Sequence, residues 1–240
     1  MRIFTQNSLQ SVGKPVDRFK WLSTGAEVNA FHMPTMNQVV IPVGFLQSPM
    51  FNATFHPVRN FAGVGGVVGH EITHGYDSSG RFYDENGSIR RWWTDADDAE
   101  FKRRSECFID QYSQFKLYDD KGEYVINNNG TATLAENIAD NGGLKLARQG
   151  YKAFAKEHPD LLKGFDLTDD EIEKLFFISL GQLYCENSNA EQITTNVLTD
   201  NHSISPARVN GMMMNSKGFS EVFQCPAGSA MNPERKCEIW

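Results

Sequence analysis

Positive charge is scarce in this sequence: 23 Lys and Arg face 30 Asp and Glu, for a net charge of −7. A surface of that sign repels a phosphate backbone, which excludes nucleic acid as the main partner. Long apolar runs are missing as well. The most apolar stretch, Leu175 to Tyr184, is about half of the ~20 residues that a membrane span requires. A membrane role is therefore expected only through an anchor outside this chain. The start, Met1-Arg2-Ile3-Phe4-Thr5-Gln6-Asn7, has neither the apolar core nor the small-residue cleavage site of a signal peptide. Read literally, that predicts a soluble cytosolic chain. The four cysteines are too few for a small disulfide scaffold. None of Cys107, Cys185, Cys225 and Cys237 forms a C-x-x-C pair, which argues against a four-cysteine zinc site. They are either buried thiols or widely spaced disulfide partners. Repeats and low-complexity tracts are absent.

What is present is enough for a sizeable core. A length of 240 residues with 17 Phe sets an expectation of one or two ordered domains. Four sequons, Asn52-Ala53-Thr54, Asn86-Gly87-Ser88, Asn129-Gly130-Thr131 and Asn201-His202-Ser203, fit the N-glycosylation pattern. They point away from the cytosol.

Patterning predicts two short strands, Val28 to Phe31 and Gln38 to Ile41, joined by a turn over Pro34 to Asn37. Pro42 confines the second strand to an edge or an end. Gly63 to His74 reads as a tightly packed core helix. Each Gly costs about 1 kcal/mol against Ala in a helix, so Gly65, Gly66 and Gly69 imply a packing or functional reason. Thr94 is placed as the N-cap of an amphipathic helix carrying Phe101, Phe108 and Phe115 at heptad spacing. Glu136 to Glu157 reads as a second long helix, Thr168-Asp169-Asp170-Glu171 as a capping box opening a third, and Ser205-Pro206 as the cap and first residue of a fourth. The expected class is mainly α with a small antiparallel sheet near the N-terminus (α+β).

The chemistry lies in His70-Glu71-Ile72-Thr73-His74. Residues i and i+4 share one helix face, so both imidazoles reach one ion. The glutamate between them sits close to the metal without ligating it, where it can take a proton from water. An unliganded trio of this kind is costly to bury in an apolar, Gly-rich segment. A catalytic zinc needs a third protein ligand and an open position. Glu136 is the candidate, with Asp140 one turn further on the same face, placed to hold a ligand imidazole by its second ring nitrogen. An oxyanion formed from an amide needs a donor besides the metal. His202 and Arg208 near the C-terminus are candidates, although base rates for polar side chains favour plain surface roles for each taken alone.

With these residues assembled, the chain resembles the neprilysin and endothelin-converting-enzyme family of zinc metallopeptidases. The resemblance runs from about Val28 to Trp240. It rests on Val28-Asn29-Ala30-Phe31 with Pro42-Val43-Gly44 and Leu46-Gln47; Gly69 to Gly75; Trp92-Trp93; Glu136 to Gly143; His202-Ser203 with Arg208; and Met231-Asn232-Pro233 with Cys237-Glu238-Ile239-Trp240. It implies a thermolysin-like zincin lobe, with residues 1–27 as a connecting segment and 28–240 as the catalytic domain. In the implied assignment, His70, His74 and Glu136 hold Zn2+, Glu71 is the general base, and Asp140 orients a ligand histidine, His70. Asn29 and Ala30 hydrogen-bond the substrate backbone like an added strand. His202 stabilises the oxyanion, and Arg208 binds a substrate carbonyl on the leaving-group side. Phe45, Met50, Val67, Leu183 and Tyr184 line the apolar pocket for the residue after the scissile bond.

The chain departs from the family pattern at several points. His32 follows Phe31 where an aromatic is usual, Ala135 stands where Gly usually precedes the ligand glutamate, and Gly66 is smaller than usual. Ser203 to Arg208 keeps the separation from His202 but not the usual residues. Family members are also much longer, with a cytosolic tail, a membrane anchor and a helical N-terminal lobe. The resemblance thus implies an extracellular or cell-surface ectodomain whose N-terminal lobe lies outside this chain. It further implies a Cys107–Cys237 disulfide, with Cys185 and Cys225 normally paired to upstream cysteines. The expected function is a zinc endopeptidase cutting oligopeptides on the amino side of apolar residues. The alternative is a catalytically incompetent fragment or isoform of such an enzyme. A bacterial thermolysin relative fits less well, because the gap from His74 to Glu136 is too long.

Overall fold

The computed structural model describes residue 5, residues 9–21 and residues 23–240. The connecting segment expected over residues 1–27 therefore falls partly outside the described residues.

The first sheet is an antiparallel pair, β1 (Phe31–Met33) and β2 (Gln38–Val40), in the register Phe31 to Val40 and Met33 to Gln38. Between them Pro34–Met36 form a 3-10 turn, closed by Asn37 in the left-handed region at φ 47°. β1 starts three residues later than Val28. The Asn29 side chain accepts the Ala30 N–H at 3.0 Å, which diverts that amide from a ladder. β2 ends before Pro42, which caps the next turn.

The expected core helix is longer and less regular than its glycines suggest. A short helix α1 (Pro57–Asn60) leads through a π turn (Phe61–Gly65) into α2 (Gly66–Thr73), and His74 opens a 3-10 turn. Helix α3 (Asp95–Ser113) is capped by Thr94, whose side chain accepts the Asp97 N–H. Phe101 and Phe108 are buried on it, whereas Phe115 lies beyond its last turn. A second antiparallel pair follows, β3 (Lys116–Tyr118) and β4 (Tyr124–Asn127), so the sheet structure is not confined to the N-terminus. Helix α4 (Leu134–Glu157) and helix α5 (Asp169–Gln182), the latter with the Thr168–Glu171 capping box formed, sit where patterning placed them. Helix α6 (Ala190–Thr199), which the sequence reading did not place, is capped by Asn189, whose side chain accepts the Gln192 N–H, and it buries Ile193 and Val197 one turn apart. Helix α7 (Ser205–Asn215) is capped by Ile204 rather than Ser205. The Ile204 carbonyl already accepts the Ala207 and Arg208 amides, and the Ser205 N–H goes to Glu186. A last short helix, α8 (Lys217–Val222), precedes the C-terminal tail. Among the described residues no helix is long and apolar enough to cross a membrane.

Three apolar clusters hold these elements. The largest joins Val58 and Ala62 to Leu144 of α4, Phe176 and Phe177 of α5, and Met212 of α7. The second packs Phe101, Phe108 and Tyr112 of α3 against Ile138 and Ile239. The third joins Leu117 of β3 to Ile193 and Val197 of α6. Two glycines set how closely α2 and α4 approach. A Cβ on Gly69 would lie 2.9 Å from the Gly143 carbonyl oxygen, and a Cβ on Gly143 would lie 2.7 Å from that of Gly66. This is the packing reason for Gly69; a Cβ on Gly66 would meet Leu180 Cδ1 at 2.8 Å, whereas one on Gly65 would make only ordinary contacts. Gly143→Ala is expected to overpack the contact between α2 and α4 and cost about 1–3 kcal/mol, read as a lower urea midpoint with an unchanged slope.

Cys107 of α3 is disulfide-bonded to Cys237 in the tail, with Cα atoms 5.5 Å apart and a sequence separation of 130. Cys185 and Cys225 are free. Closing so long a loop restricts the unfolded chain strongly. The double replacement Cys107→Ser, Cys237→Ser is expected to lower stability by about 2–4 kcal/mol, measurable by thermal unfolding without reductant.

Candidate active site

Helix geometry assembles the site from two pairs of residues. His70 and His74 stand one turn apart at the end of α2, their rings edge-on with centroids 4.5 Å apart. Glu136 and Asp140 stand one turn apart on α4, which the glycine contact brings against α2. The result is a cluster around one atom. Glu136 Oε2 lies 3.3 Å from His70 Nε2, 3.5 Å from His74 Nε2 and 3.1 Å from His202 Nε2. That oxygen is buried, yet none of the three nitrogens makes an aligned hydrogen bond with it. One ligand atom each from His70, His74 and Glu136 fall within 4.8 Å of one another.

A carboxylate behind each ring sets its tautomer. His70 Nδ1 is 2.8 Å from Asp140 Oδ1, and His74 Nδ1 is 2.6 Å from Asp77 Oδ2. With Nδ1–H donated to a carboxylate, each Nε2 turns a lone pair toward Glu136. Lone pairs and a carboxylate oxygen facing one another repel unless a cation stands between them, a proton on Nε2 in the metal-free protein or a metal ion in the proton's place. Two imidazoles and one carboxylate, with room for water beside them, are the donor set of a catalytic zinc. The residues present therefore fit the metal.

The electrostatics follow. Burial works against the charged form of His74, but the Asp77 and Glu136 carboxylates outweigh it and hold its pKa at about 10. The same opposition, with Asp140 and Glu136 winning, raises His70. Burial alone would raise Glu136, yet the imidazoles of His202, His70 and His74 hold it below the usual carboxylate range. Asp140 is held low in spite of its burial, first by Arg208 and then by His70. Glu71 is buried and close to the His32 backbone, and burial pushes its carboxyl up against the opposing pull of His70 and His74.

Around the cluster lies a cleft of about 490 Å³. Every residue expected to ligate, catalyse or bind lines it except Asp140, which stands behind His70. On its walls are Asn29, Ala30, Phe45, Met50, Val67, Leu183, Tyr184, His202 and Arg208, with His70, Glu71, His74 and Glu136 among them. Asn29 and Ala30 reach the cleft from the irregular segment before β1. The Arg208 side chain is more committed than a pure substrate contact would be. Its Nε and Nη2 donate to Asp140 Oδ2 and Oδ1 at 2.8 and 2.7 Å, and its guanidinium lies 4.9 Å over the Tyr184 ring.

Sequence reading missed four participants. Asp77 lies three residues after His74, a spacing that could have suggested it as a partner. Asp200 accepts both the backbone N–H and Nδ1 of His202 at 2.8 Å. Asn201 Nδ2 donates to Glu136 Oε1 at 3.0 Å. His32 lines the cleft with its ring stacked on that of His74, centroids 6.3 Å apart.

Comparison with known proteins agrees with this geometry. The model of peptidase family M13 matches residues 29–239. The chain is 42% identical over 230 residues to neprilysin-1 of Caenorhabditis elegans, covering 95% of this chain and 30% of that protein. It is 43% identical over 229 residues to human (Homo sapiens) endothelin-converting enzyme 1, covering 95% of this chain and 29% of that protein. Among solved structures, a Mycobacterium tuberculosis zinc metalloprotease in complex with inhibitor superposes with a TM-score of 0.87 at 31% identity, over 99% of this chain and 36% of that one. The chain thus spans about a third of the length of the relatives it matches. With the matched stretch taking in both helices of the cluster and the turn that carries His202, the chain belongs to peptidase family M13.

Proposed function

We propose that the chain is the catalytic domain of a zinc-dependent endopeptidase that cuts oligopeptides on the amino side of apolar residues. The observation that carries the reading is Glu136 Oε2, buried without an aligned partner among three imidazole nitrogens. In this reading His70, His74 and Glu136 hold Zn2+, which when bound supplies Lewis acidity toward a water and a peptide carbonyl. Glu71 takes a proton from the attacking water as its oxygen bonds to the carbonyl carbon. Glu71 then returns the proton to the amide nitrogen as the C–N bond breaks, and the second proton of the water, released as the new carboxyl ionises, goes to the leaving amine, giving a carboxylate and an ammonium. His202, held by Asp200, donates to the oxyanion. Asn29 and Ala30 hold the substrate backbone as an added strand would, and Arg208 borders the leaving-group side. Phe45, Met50, Val67, Leu183 and Tyr184 receive an apolar side chain after the scissile bond.

The same reading makes residues 1–27 a connecting segment, an N-terminal lobe of the same polypeptide a partner, and the extracellular space or cell surface the place of action. The test is cleavage of a short peptide containing one Phe or Leu, with and without a chelator, the products located by mass spectrometry. Cleavage before the apolar residue, lost with chelator and restored by zinc, is expected. Cleavage indifferent to the chelator overturns the proposal. A second reading is a fragment that binds zinc without turnover, and the same measurements separate the two. Stoichiometric zinc with no cleavage of any apolar-residue peptide would select it.

A further inference from the structure

Each histidine of the cluster has a carboxylate behind it, and the carboxylate of the cluster has a partner of its own. Glu136 presents Oε2 to the imidazoles, while Oε1 accepts the Nδ2–H of Asn201 at 3.0 Å. The reverse amide orientation would set Asn201 Oδ1 against a carboxylate oxygen, so the chemistry decides which end donates.

The turn that carries Asn201, between α6 and α7, is fixed on both sides of it. Asp200 accepts both the backbone N–H and the ring nitrogen of His202. Ser203 is buried, its Oγ 3.0 Å from Thr133 Oγ1 and 2.7 Å from Asn137 Oδ1, and it accepts Asn128 Nδ2 at 2.9 Å. Thr133 and Asn137 flank Glu136 at the start of α4. The turn is thus docked onto the segment that bears the candidate ligand, and the Asn201 amide is aimed at that ligand.

We infer that Asn201 is a positioning residue that holds the Glu136 carboxylate so that Oε2 faces the cation, and that its sequon is not a glycan acceptor in the folded chain. The second part follows from the first. Asn201 is exposed as a whole, but Nδ2, the atom a glycan would join, is the one that lies 3.0 Å from Glu136 Oε1. The Ser203 hydroxyl that completes the sequon is buried. The inference rests on the zinc reading above. It concerns what holds the ligand, not whether zinc is bound.

The experiment measures the zinc dissociation constant by chelator competition, and the melting temperature with and without zinc, for the wild type, Asn201→Ala and Asn201→Leu. The leucine variant keeps the branching and the number of heavy atoms and removes the donor. Partners behind a metal ligand typically contribute about 10–100-fold in affinity. A loss of that size in both variants, with the metal-free melting temperature unchanged, is expected. Wild-type affinity in both overturns the inference and leaves the zinc reading standing, whereas a wild type that binds no zinc overturns the zinc reading itself. A lower metal-free melting temperature at unchanged affinity marks a structural role and also overturns the inference. Should either variant fail to fold, peptide mapping of wild-type chain made in a glycosylating host decides the matter. Asn201 unmodified in the zinc-loaded fraction supports the inference, and a glycan on it there overturns it.

Discussion

Glu71→Gln is expected to abolish measurable peptide cleavage, lowering kcat/KM by about 10²–10⁴-fold, the usual contribution of a positioned general base. Zinc binding is expected to survive. Glu71 shares α2 with His70, stands less than one turn before His74 at the end of that helix and lines the same cleft, but it is not one of the three residues whose ligand atoms converge. Glutamine has the same shape, so the packing of a side chain that is 6% exposed is retained, and only the ability to take a proton is removed. The burial that pushes the Glu71 carboxyl up brings it toward working pH, which suits a group that must accept a proton and release it again. The check is a pair of measurements on one preparation: peptide cleavage and zinc stoichiometry. Full activity in a zinc-loaded Glu71→Gln protein would remove Glu71 from the reaction. Loss of both activity and zinc would mean that the residue supports the metal instead.

Arg208→Ala is expected to cost about 3–5 kcal/mol of stability, the usual consequence of removing one partner from a buried ion pair. Asp140 is fully buried at its side chain, and Arg208 is the leading cause of its lowered pKa. Both carboxylate oxygens are engaged by the guanidinium fork. Without it, among the described residues the charge on Asp140 keeps the His70 ring and a long contact of 3.4 Å from the Tyr184 hydroxyl. Lysine keeps a positive charge but cannot form the two parallel bonds, so Arg208→Lys is expected to recover part of the loss. Chemical unfolding reads the stability, and zinc affinity reads whether a loosened Asp140 still holds His70. A role confined to substrate predicts the opposite pattern, with stability and zinc affinity at wild-type level and only KM raised. The geometry sets Arg208 in both positions at once, on the cleft wall and behind the ligand network.

The two prediction targets differ in how far they could be seen beforehand. Glu71 stands out because its relation to His70 and His74 is a matter of helix repeat, and a repeat is written locally. The same is true of Glu136 with Asp140, of the Thr94 cap and of the Thr168–Glu171 capping box. Each depends on spacings of three or four residues, within which backbone geometry leaves little freedom. The β3–β4 pair and the π turn that displaces the start of α2 carry no such signature, whereas helix α6 carries one that went unread, an Asn189 cap with Ile193 and Val197 one turn apart. The strand predicted from Val28 failed for a local reason too small to appear in a pattern, one side-chain bond from Asn29 to the next amide.

From its residues alone the chain declares the metal-binding chemistry, its helical carriers and the family that uses them. Tertiary structure decides how the separate pieces meet. Asn201 and Glu136 are 65 residues apart, Arg208 and Asp140 are 68, and Cys107 and Cys237 are 130. No periodicity encodes such distances. They depend on how closely α2 and α4 can pack, which the bare backbone at Gly69 and Gly143 sets, and on where the buried hydroxyl of Ser203 docks the last turn. A histidine, an asparagine and an arginine that look like ordinary surface residues in the sequence become parts of one network. The reason is that a buried carboxylate must find partners wherever the packing brings them.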